Sequence, residues 1–214
     1  MTLAIYCAGG LGKEVVSLVH SVWRWDFVIF VDDVTDEEWH AGVKVYRFED
    51  LKDFPDYIEF IIANGEPEVR EKLYHKIKTA GYPMATIYSK DSVISSGAII
   101  GEGCIVNACE ISSDVVIEPN VFIQTKAVIG HDAVIGEHSV ISSFCFIGGG
   151  TRLEKKVYMG PGSMVKDHIC IGESAIASLG AVILRDVNQK SIMVGNPAKR
   201  IGENAEHRVF NIFE

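Results

Sequence analysis

A membrane-spanning helix needs a run of about 18 apolar residues. The sequence has no such run, so we expect no membrane span. It also lacks an excess of positive charge, because 20 Lys and Arg residues are outnumbered by 29 Asp and Glu residues, for a net charge of -9. That balance argues against nucleic acid as the main partner, although local amides and side chains can still hold a phosphorylated small molecule. The first residues, MTLAIYCAGGLG, have neither the basic start nor the small-residue cleavage site of a signal peptide.

Cysteine is scarce, and its spacing offers no metal or disulfide pattern. The chain has five cysteines, an odd number, and no C-x-x-C pair. Free thiols of this kind are typical of a reducing compartment, and we therefore expect a cytoplasmic protein without disulfides or a zinc site. Cys109 and Cys145 fall at small-residue positions of the repeat described next, which favours core packing over nucleophilic catalysis.

The second half of the chain is built from a six-residue repeat. Every sixth residue from position 93 to position 183 is aliphatic or Met, and the residue four places later is small or β-branched in nearly every repeat. The sixteen positions are Val93, Ile99, Ile105, Ile111, Ile117, Ile123, Ile129, Ile135, Ile141, Ile147, Leu153, Met159, Val165, Ile171, Ala177 and Ile183. A period of six fits no α-helix, and β-branched residues favour strands. The pattern therefore predicts a prism of about five coils of short parallel strands, with these side chains pointing inward.

The first half alternates strands and helices, which predicts a small parallel sheet covered by helices. An apolar strand is followed by a glycine turn at Gly9 and Gly10 and then by an amphipathic helix. A second strand ends in Asp32 and Asp33, and a third ends before a turn at Asn64. The ends of these strands are therefore the expected ligand-binding edge of the sheet.

Glycines at the first turn let a phosphate approach the backbone amides at the start of a helix, and carboxylates after the next strand are placed to bind a ribose or a base. The alternative is a tight turn that needs glycine for backbone reasons alone. Cys7 stands where the first glycine of G-x-G-x-x-G belongs, and about 85 residues are few for a dinucleotide domain. The pattern therefore favours a mononucleotide or nucleotide-sugar site over an NAD site.

Four features together resemble one family across almost the whole chain: an A-G-G-x-G opening, the segment TIYSKDSVIS, the six-residue repeats and a closing VGNPAKRI. The family is that of the bacterial sialic-acid O-acetyltransferases and nucleotide-sugar N-acetyltransferases, which includes the enzyme of di-N-acetylbacillosamine synthesis. The resemblance implies a Rossmann-like α/β domain over residues 1–85 that binds the nucleotide sugar. It implies a left-handed parallel β-helix with a C-terminal tail over residues 86–214, which binds acetyl-CoA and forms a homotrimer.

Two histidines lie seven residues apart in the stretch IGHDAVIGEHSVISSF. In the six-residue register His131 is third in its repeat and His138 is fourth in the next, so they occupy different faces or corners of one coil and do not share a metal. His138 falls at a polar turn position, which predicts that its side chain is exposed. The resemblance implies that His131 is the general base, which takes a proton from the attacking sugar amine or hydroxyl. Asp132 would then orient the ring and raise its basicity.

The resemblance also implies the remaining site residues, position by position. Acetyl-CoA, the co-substrate, would contact Val140, Gly149, Pro161 and Leu179. The nucleotide sugar would contact Gly9, Gly10, Leu11, Asp32, Asp33 and Asn64. Three of these depart from relatives, because Val140 replaces a second histidine of the bacillosamine-type enzymes, Leu11 replaces a frequent histidine and Asn64 a frequent glycine. Lys199 and Arg200 either meet coenzyme phosphates or form a solvated basic end.

The resemblance implies an acetyl-CoA-dependent acetyltransferase, with the amino group of a nucleotide-linked amino sugar as the favoured acceptor. O-Acetylation of a sialic acid or another sugar stays open, because the same base serves both acceptors. Two other classes remain as alternatives. One is a non-catalytic nucleotide-binding scaffold. The other is a metal-dependent hydratase of the same repeat type, whose closely spaced histidine pair this sequence lacks.

Overall fold

The computed structural model describes residues 1–22, 24–54 and 57–210, and it contains an N-terminal sheet with helices and a C-terminal prism. The sheet is formed by β1 (Thr2–Tyr6), β2 (Phe27–Val31), β3 (Trp39–His40), β4 (Val43–Tyr46) and β5 (Ile58–Ile62), in the order β3-β4-β2-β1-β5. β1 pairs in parallel with β2 and β5, and β2 in parallel with β4. β1 and β5 are buried on both faces, which is why they read as continuous apolar runs.

Two described helices and a 3-10 turn complete the N-terminal domain. The helices are α1 (Gly10–Val22) and α2 (Pro67–Thr79), and the turn is Phe48–Asp53. α1 buries Val15, Val16 and Val19 against the sheet, at the spacing of one helical face. Pro67 begins α2, where its missing N–H costs no hydrogen bond. Neither helix has the length and apolar character that a bilayer crossing needs.

The prism is a left-handed parallel β-helix of two-residue strands stacked in three faces, as the sequence predicted. The covered face contains Ile87–Tyr88, Ile105–Val106, Phe122–Ile123, Val140–Ile141, Tyr158–Met159 and Ile176–Ala177, followed by Ser191–Val194 and Lys199–Glu203. The open face contains Val93–Ile94, Glu110–Ile111, Val128–Ile129, Phe146–Ile147, Met164–Val165 and Val182–Ile183. The third face contains Ile99–Ile100, Val116–Ile117, Val134–Ile135, Arg152–Leu153 and Cys170–Ile171.

The first three repeat positions point outward, and their predicted orientation is wrong. They are Val93, Ile99 and Ile105, and the residue after each faces the prism core instead. The turn between Val106 and Ile111 is one residue shorter than the others, so the step there is five residues and the register shifts. From Ile111 to Ile183 all thirteen repeat positions are buried in the prism core, as predicted.

Backbone turns with positive φ recur at six-residue intervals and form the corners of the prism. They are Asp114, Asn120, Lys126, Asp132, His138, Phe144, Gly150, Lys156, Gly162, His168, Ser174 and Gly180. Asn, Asp, His and Gly tolerate this conformation better than other residues do. Asp132 and His138 thus hold the same turn position in consecutive repeats, and the seven-residue spacing of the histidines places them on different corners.

We name three corners of the prism by the residues that stack there. The base corner carries Ser113, His131, Gly149 and Asp167, the junction corner carries Asn120, His138 and Lys156, and the far corner carries Ser143, Pro161 and Leu179. The N-terminal domain packs on the covered face, where the outward side chains of Phe122 and Val140 join a core cluster with Leu3 and Phe30. The chain passes between the two parts after Met84, which still bridges to Phe60 of β5.

Candidate active site

His131 is an exposed imidazole whose orientation is set by the residue next to it. Its Nδ1 lies 2.6 Å from Oδ2 of Asp132, and the φ of 58° at Asp132 brings that carboxylate back beside the ring. Because a carboxylate accepts, Nδ1 carries the hydrogen and Nε2 is the free lone pair. The hydrogen bond and charge of Asp132 raise the pKa of His131 above its usual value. The ring is therefore a better base than a free imidazole.

Gly149 provides the space in which the His131 ring lies. A Cβ on Gly149 would come within 2.8 Å of Nε2 and 2.9 Å of Cε1 of His131. The amide of Gly149 donates to Oδ1 of Asp167 at 2.9 Å. The sequence pointed to Gly149 as a place where the coenzyme approaches the backbone, and the structure adds that the imidazole of the proposed base lies against this same glycine.

The other three predicted coenzyme residues do not lie beside His131 within one chain. Pro161 and Leu179 stack on the far corner, across the open face, and the side chain of Leu179 is 76% exposed. Val140 is 1% exposed beneath the N-terminal domain, and its amide donates to the carbonyl of Val157. The covered face therefore leaves neither its side chain nor its amide accessible, and this burial weighs against the coenzyme contact at Val140, which stays a prediction.

The predicted acceptor residues gather at the carboxyl edge of the sheet. Gly9 and Gly10 follow β1, Asp32 and Asp33 follow β2, and Asn64 follows β5, and these three strands are neighbours. A Cβ on Gly9 or Gly10 would meet no atom within 4 Å, and neither has a positive φ. The fold therefore has no need of glycine at these two positions, which weighs against a turn that needs glycine for backbone reasons alone.

Two other residues complete that first turn. Leu11, in the first turn of α1, packs partly against the core of the N-terminal domain. His40, which the sequence analysis did not single out, places Nε2 3.3 Å from the carbonyl oxygen of Gly9 and Nδ1 2.8 Å from Oε2 of Glu37. No signal in the sequence pointed to His40, because it reaches the turn from the hairpin of β3 and β4.

The two carboxylates after β2 are engaged within the protein. Asp32 accepts hydrogen bonds from the amides of Ala8 at 2.8 Å, Val34 at 2.8 Å and Thr35 at 3.1 Å. Asp33 accepts hydrogen bonds from the ammonium group of Lys76 at 2.6 Å, from the hydroxyl of Tyr6 and from the amide of Phe48 at 3.0 Å. Both aspartates therefore shape the edge of the sheet, in addition to any contact with a ribose or base.

The segment of residues 64–66, which we call the acceptor loop, connects β5 to α2. The side chain of Asn64 accepts from the amide of Glu66 at 2.8 Å, so it caps the turn. The carboxylate of Glu66 accepts from the amides of Val209 at 2.9 Å and Phe210 at 3.2 Å, which brings the C-terminal segment onto this loop. The ring of Phe210 would lie 3.6 Å from a Cβ on Gly65.

His138 is buried, and the prediction that it is exposed is wrong. The side chain is 2% exposed because α2 packs over the junction corner. Its Nδ1 lies 3.0 Å from Nδ2 of Asn120, and its ring contacts the rings of Tyr74 and His75 on α2. Burial lowers the pKa of His138 to about 4, so the imidazole is neutral at neutral pH. A polar turn position on the prism became an interior position because the other domain covers it.

Glu71, His75 and His138 offer ligand atoms that all lie within 4.8 Å of one another. The tautomer of His138 argues against metal binding there. Asn120 directs an amide N–H at Nδ1, so the ring hydrogen is on Nε2, the atom that would have to coordinate. The ammonium group of Lys156 also lies 2.7 Å from Oε2 of Glu71 and neutralises that carboxylate.

In the C-terminal strand Lys199–Glu203 both predicted basic residues are exposed. Arg200 donates to Oε2 of Glu203 at 3.4 Å. This geometry is that of a solvated basic end and leaves the side chain of Lys199 accessible, so a role toward coenzyme phosphates stays a prediction.

Known proteins share both halves of this architecture. Residues 2–77 match the family model of the PglD N-terminal domain, and residues 114–149 match that of the bacterial transferase hexapeptide, six repeats. The structure is similar to the acetyltransferase domain of PglB from Neisseria gonorrhoeae FA1090, with a TM-score of 0.88 and 25% identity over 94% of this chain and 99% of that chain. Among curated protein sequences, none matches the chain.

Two further solved structures are similar over nearly their whole length. WeeI from Acinetobacter baumannii AYE has a TM-score of 0.88 and 28% identity, covering 94% of this chain and 100% of that chain. A mutant of perosamine N-acetyltransferase from Caulobacter crescentus, in complex with CoA and GDP-perosamine, has a TM-score of 0.89 and 24% identity, covering 95% and 98%. The resemblance predicted from the sequence is confirmed for both halves: the chain carries a PglD-type N-terminal domain and hexapeptide repeats, and its structure is similar over nearly its whole length to an acetyltransferase domain.

Proposed function

We propose that this protein transfers the acetyl group of acetyl-CoA to the amino group of a nucleotide-linked amino sugar. The observation that carries the proposal is the pair of His131 and Asp132, with Nδ1 held at 2.6 Å from the carboxylate and Nε2 left as a basic lone pair on an exposed corner. The relatives support the acyl donor and the acceptor class, since one of them is an acetyltransferase domain and another was solved with CoA and GDP-perosamine.

The chemistry follows from the free lone pair of Nε2. As the sugar amine attacks the thioester carbonyl, His131 accepts the proton that the nitrogen loses. The new C–N bond forms, the C–S bond breaks, and the coenzyme thiolate leaves with the proton that the imidazolium returns. Asp132 holds the ring in the tautomer that has Nε2 free and stabilises the transient imidazolium. Backbone amides at the site would stabilise the thioester oxyanion.

The acceptor would be held at the carboxyl edge of the sheet. The open space at Gly9 and Gly10 lies at the start of α1, where backbone amides and the helix dipole favour phosphate. A hydroxyl acceptor such as a sialic acid is the alternative, because a neutral imidazole can take a proton from either group.

The active species would be a homotrimer, in which the base corner of one chain faces the far corner of its neighbour. Two observations support this. Gly149 beside His131 and the predicted coenzyme residues Pro161 and Leu179 are separated by the open face within one chain. Phe146 and Met164 point outward on that open face and are 43% and 46% exposed. Exposed apolar side chains of this kind are typical of a protein–protein interface.

We place the reaction in the cytoplasm. All five cysteines lie in the described part of the chain and are free thiols, which agrees with a reducing compartment.

The direct test is an acetyl-transfer assay with acetyl-CoA and a panel of acceptors. The panel contains UDP-, GDP- and dTDP-linked 4-amino sugars together with free and CMP-linked sialic acid, and the readouts are free coenzyme thiol and the mass of the acetylated sugar. We expect thiol release with at least one amino-sugar nucleotide. Release with a sialic acid alone would identify an O-acetyltransferase, and binding of nucleotide without any acetyl transfer would identify a scaffold.

The variant His131→Ala tests the base in the same assay. It should lower kcat by about a hundredfold or more, since general base catalysis contributes about that much. The exposed ring makes few packing contacts, so the unfolding temperature and the oligomeric mass should stay unchanged. Turnover equal to that of the unmodified protein would remove His131 from the mechanism.

A further inference from the structure

Arg70 is a fully buried cation whose hydrogen bonds, within the described residues, all go to carbonyl oxygens. The side chain is 0% exposed. It donates to Ile62 at 2.7 Å, to Asn64 at 3.0 Å, twice to the backbone carbonyl of Asn120 at 2.8 and 2.9 Å, and to Oδ1 of Asn120 at 2.7 Å. Burying a charge without an opposite charge is costly, so a fold that keeps one gains something else from it.

These oxygens belong to two different domains. Ile62 is the last residue of β5 and Asn64 begins the acceptor loop, so two of the bonds hold the edge at which the acceptor would bind. Asn120 lies on the junction corner of the prism, 50 residues away in sequence from Arg70. Through one planar guanidinium group, Arg70 therefore links the acceptor loop to the prism that carries the proposed base.

The link is rigid because Asn120 is held in return. Its Nδ2 donates to the carbonyl of Arg70 at 3.0 Å and to Nδ1 of His138 at 3.0 Å, while its Oδ1 accepts from Arg70. If the oxygen and nitrogen of the Asn120 side-chain amide exchanged places, all three contacts would be lost. The neutral imidazole of His138 thus closes the network on the prism side, and no second arrangement of the amide is available.

We propose that Arg70 is a positioning residue for the acceptor: it fixes the acceptor loop at one place relative to the prism, so that the bound sugar amine meets the catalytic site. The inference rests on the proposed acetyltransferase function. It follows that loss of the guanidinium group should weaken productive binding of the acceptor and leave acetyl-CoA binding unaffected. Within the described residues, none of the predicted coenzyme residues hydrogen-bonds to the side chains of Arg70, Asn120 or His138.

The variant Arg70→Lys tests this, because lysine keeps the charge but has no planar group that can make five hydrogen bonds to these four oxygens. We expect the KM for the amino-sugar nucleotide to rise about tenfold or more, as remote misplacement of a substrate does, with the KM for acetyl-CoA unchanged. Hydrogen–deuterium exchange at the amides of residues 64–66 should also become faster than in the unmodified protein.

Tyr74→Phe is the matched control. It removes another hydrogen bond between α2 and the prism, from the Tyr74 hydroxyl to Oε1 of Glu102 at 2.6 Å, and keeps the ring that packs on His138. It should lower stability without moving the KM for the acceptor. If Tyr74→Phe raises that KM as Arg70→Lys does, or if Arg70→Lys raises both KM values equally, the effect is general loosening and the proposal is overturned.

Asn120→Gly gives an independent measurement if Arg70→Lys does not fold. Glycine tolerates the φ of 58° at this position and keeps the backbone carbonyl that Arg70 uses, so only Oδ1 and Nδ2 are lost. A smaller rise in the same KM, with faster exchange at residues 64–66, is expected. An unmodified protein that acetylates no acceptor would overturn the proposed function, whereas unchanged exchange in both variants would overturn the positioning role of Arg70.

Discussion

At the scale of single residues, the surroundings of the two prism histidines decide their chemistry. His131 is exposed beside a carboxylate, and Asp132 raises its pKa. His138 is enclosed beside Arg70 and Asn120, and burial lowers its pKa to about 4. His131 is therefore accessible for the proton transfer we propose, and His138 is a neutral hydrogen-bonding group inside the protein.

Replacing Asp132 by Asn should shift the pH dependence of turnover. Neutral His131 is the active form, so the rate of the unmodified protein falls as the pH drops through the raised pKa. Without the carboxylate the pKa returns toward its usual value, and the acid limb of the kcat profile moves to lower pH. The plateau rate should fall about tenfold, less than in His131→Ala, because the ring is a weaker and less well oriented base. A superimposable profile would show that Asp132 does not set the basicity of His131.

Replacing His138 by Asn should make the free energy of unfolding less dependent on pH in the acidic range. Asn keeps an acceptor oxygen for Asn120 and tolerates the positive φ, but it does not titrate. In the unmodified protein the unfolded chain takes up a proton on His138 below its usual pKa, and the folded chain does not until about pH 4. The free energy of unfolding should therefore fall by about 2 to 3 kcal/mol more in the unmodified protein between pH 7 and pH 4.

Urea unfolding of the two proteins at both pH values checks this. Other charged groups face the ring from both domains, and they are the same in both proteins: Arg70, Glu71, His75, Glu137 and Lys156. Because both proteins carry these groups, the difference between the two results reports the replacement of His138. Parallel curves for the two proteins would show that His138 takes up no proton on unfolding in this range.

At the scale of elements, the glycines between β1 and α1 have two different structural roles. Gly12 lies against the sheet, where a Cβ would come within 2.7 Å of the Cys7 carbonyl oxygen and of Cε1 of Phe30. Gly9 and Gly10 face open space. Gly12 is therefore required for packing, whereas Gly9 and Gly10 leave the backbone amides at the start of α1 accessible.

Gly10→Ala and Gly12→Ala should therefore fail in different ways. Gly12→Ala should lower the free energy of unfolding by about 1 to 3 kcal/mol, the usual cost of overpacking. Gly10→Ala should leave stability unchanged or slightly higher, because Ala favours helix, and should weaken binding of UDP, GDP or dTDP by shielding the amides. Thermal melts with and without each nucleotide separate the two. Unchanged nucleotide binding in Gly10→Ala would move the phosphate site away from this turn.

At the scale of the whole molecule, the proposed homotrimer would complete the base corner with a surface of the neighbouring chain. The homotrimer predicts a mass in solution of about three times the 23.5 kDa chain. Phe146→Glu places a charge on the open face, so we expect monomers that still bind nucleotide and have lost acetyl transfer. Phe27→Glu is the control, since Phe27 is 62% exposed on the N-terminal domain and should leave the trimer intact. Sedimentation of both variants gives the answer, and a trimeric, active Phe146→Glu would contradict the assembly.

The sequence by itself determined the prism, the small parallel sheet and the pairing of His131 with Asp132. Each of these depends on residues close in the chain: a repeat of six, a strand followed by a glycine turn, two adjacent side chains. Local spacing is enough to predict such features, because the backbone geometry of a repeat or a turn depends on neighbouring residues.

Only the tertiary structure decided the burial of His138, the covering of Val140 and the register of the first coil. Each depends on a contact between distant segments: α2 on the junction corner, the N-terminal domain on the covered face, and the strand pairing that exposes Val93. The same holds for Arg70 and Asn120, whose bonds join residues 50 positions apart. A side chain's burial, pKa and partners are set by what packs around it, and no spacing along the chain encodes which distant surface that will be.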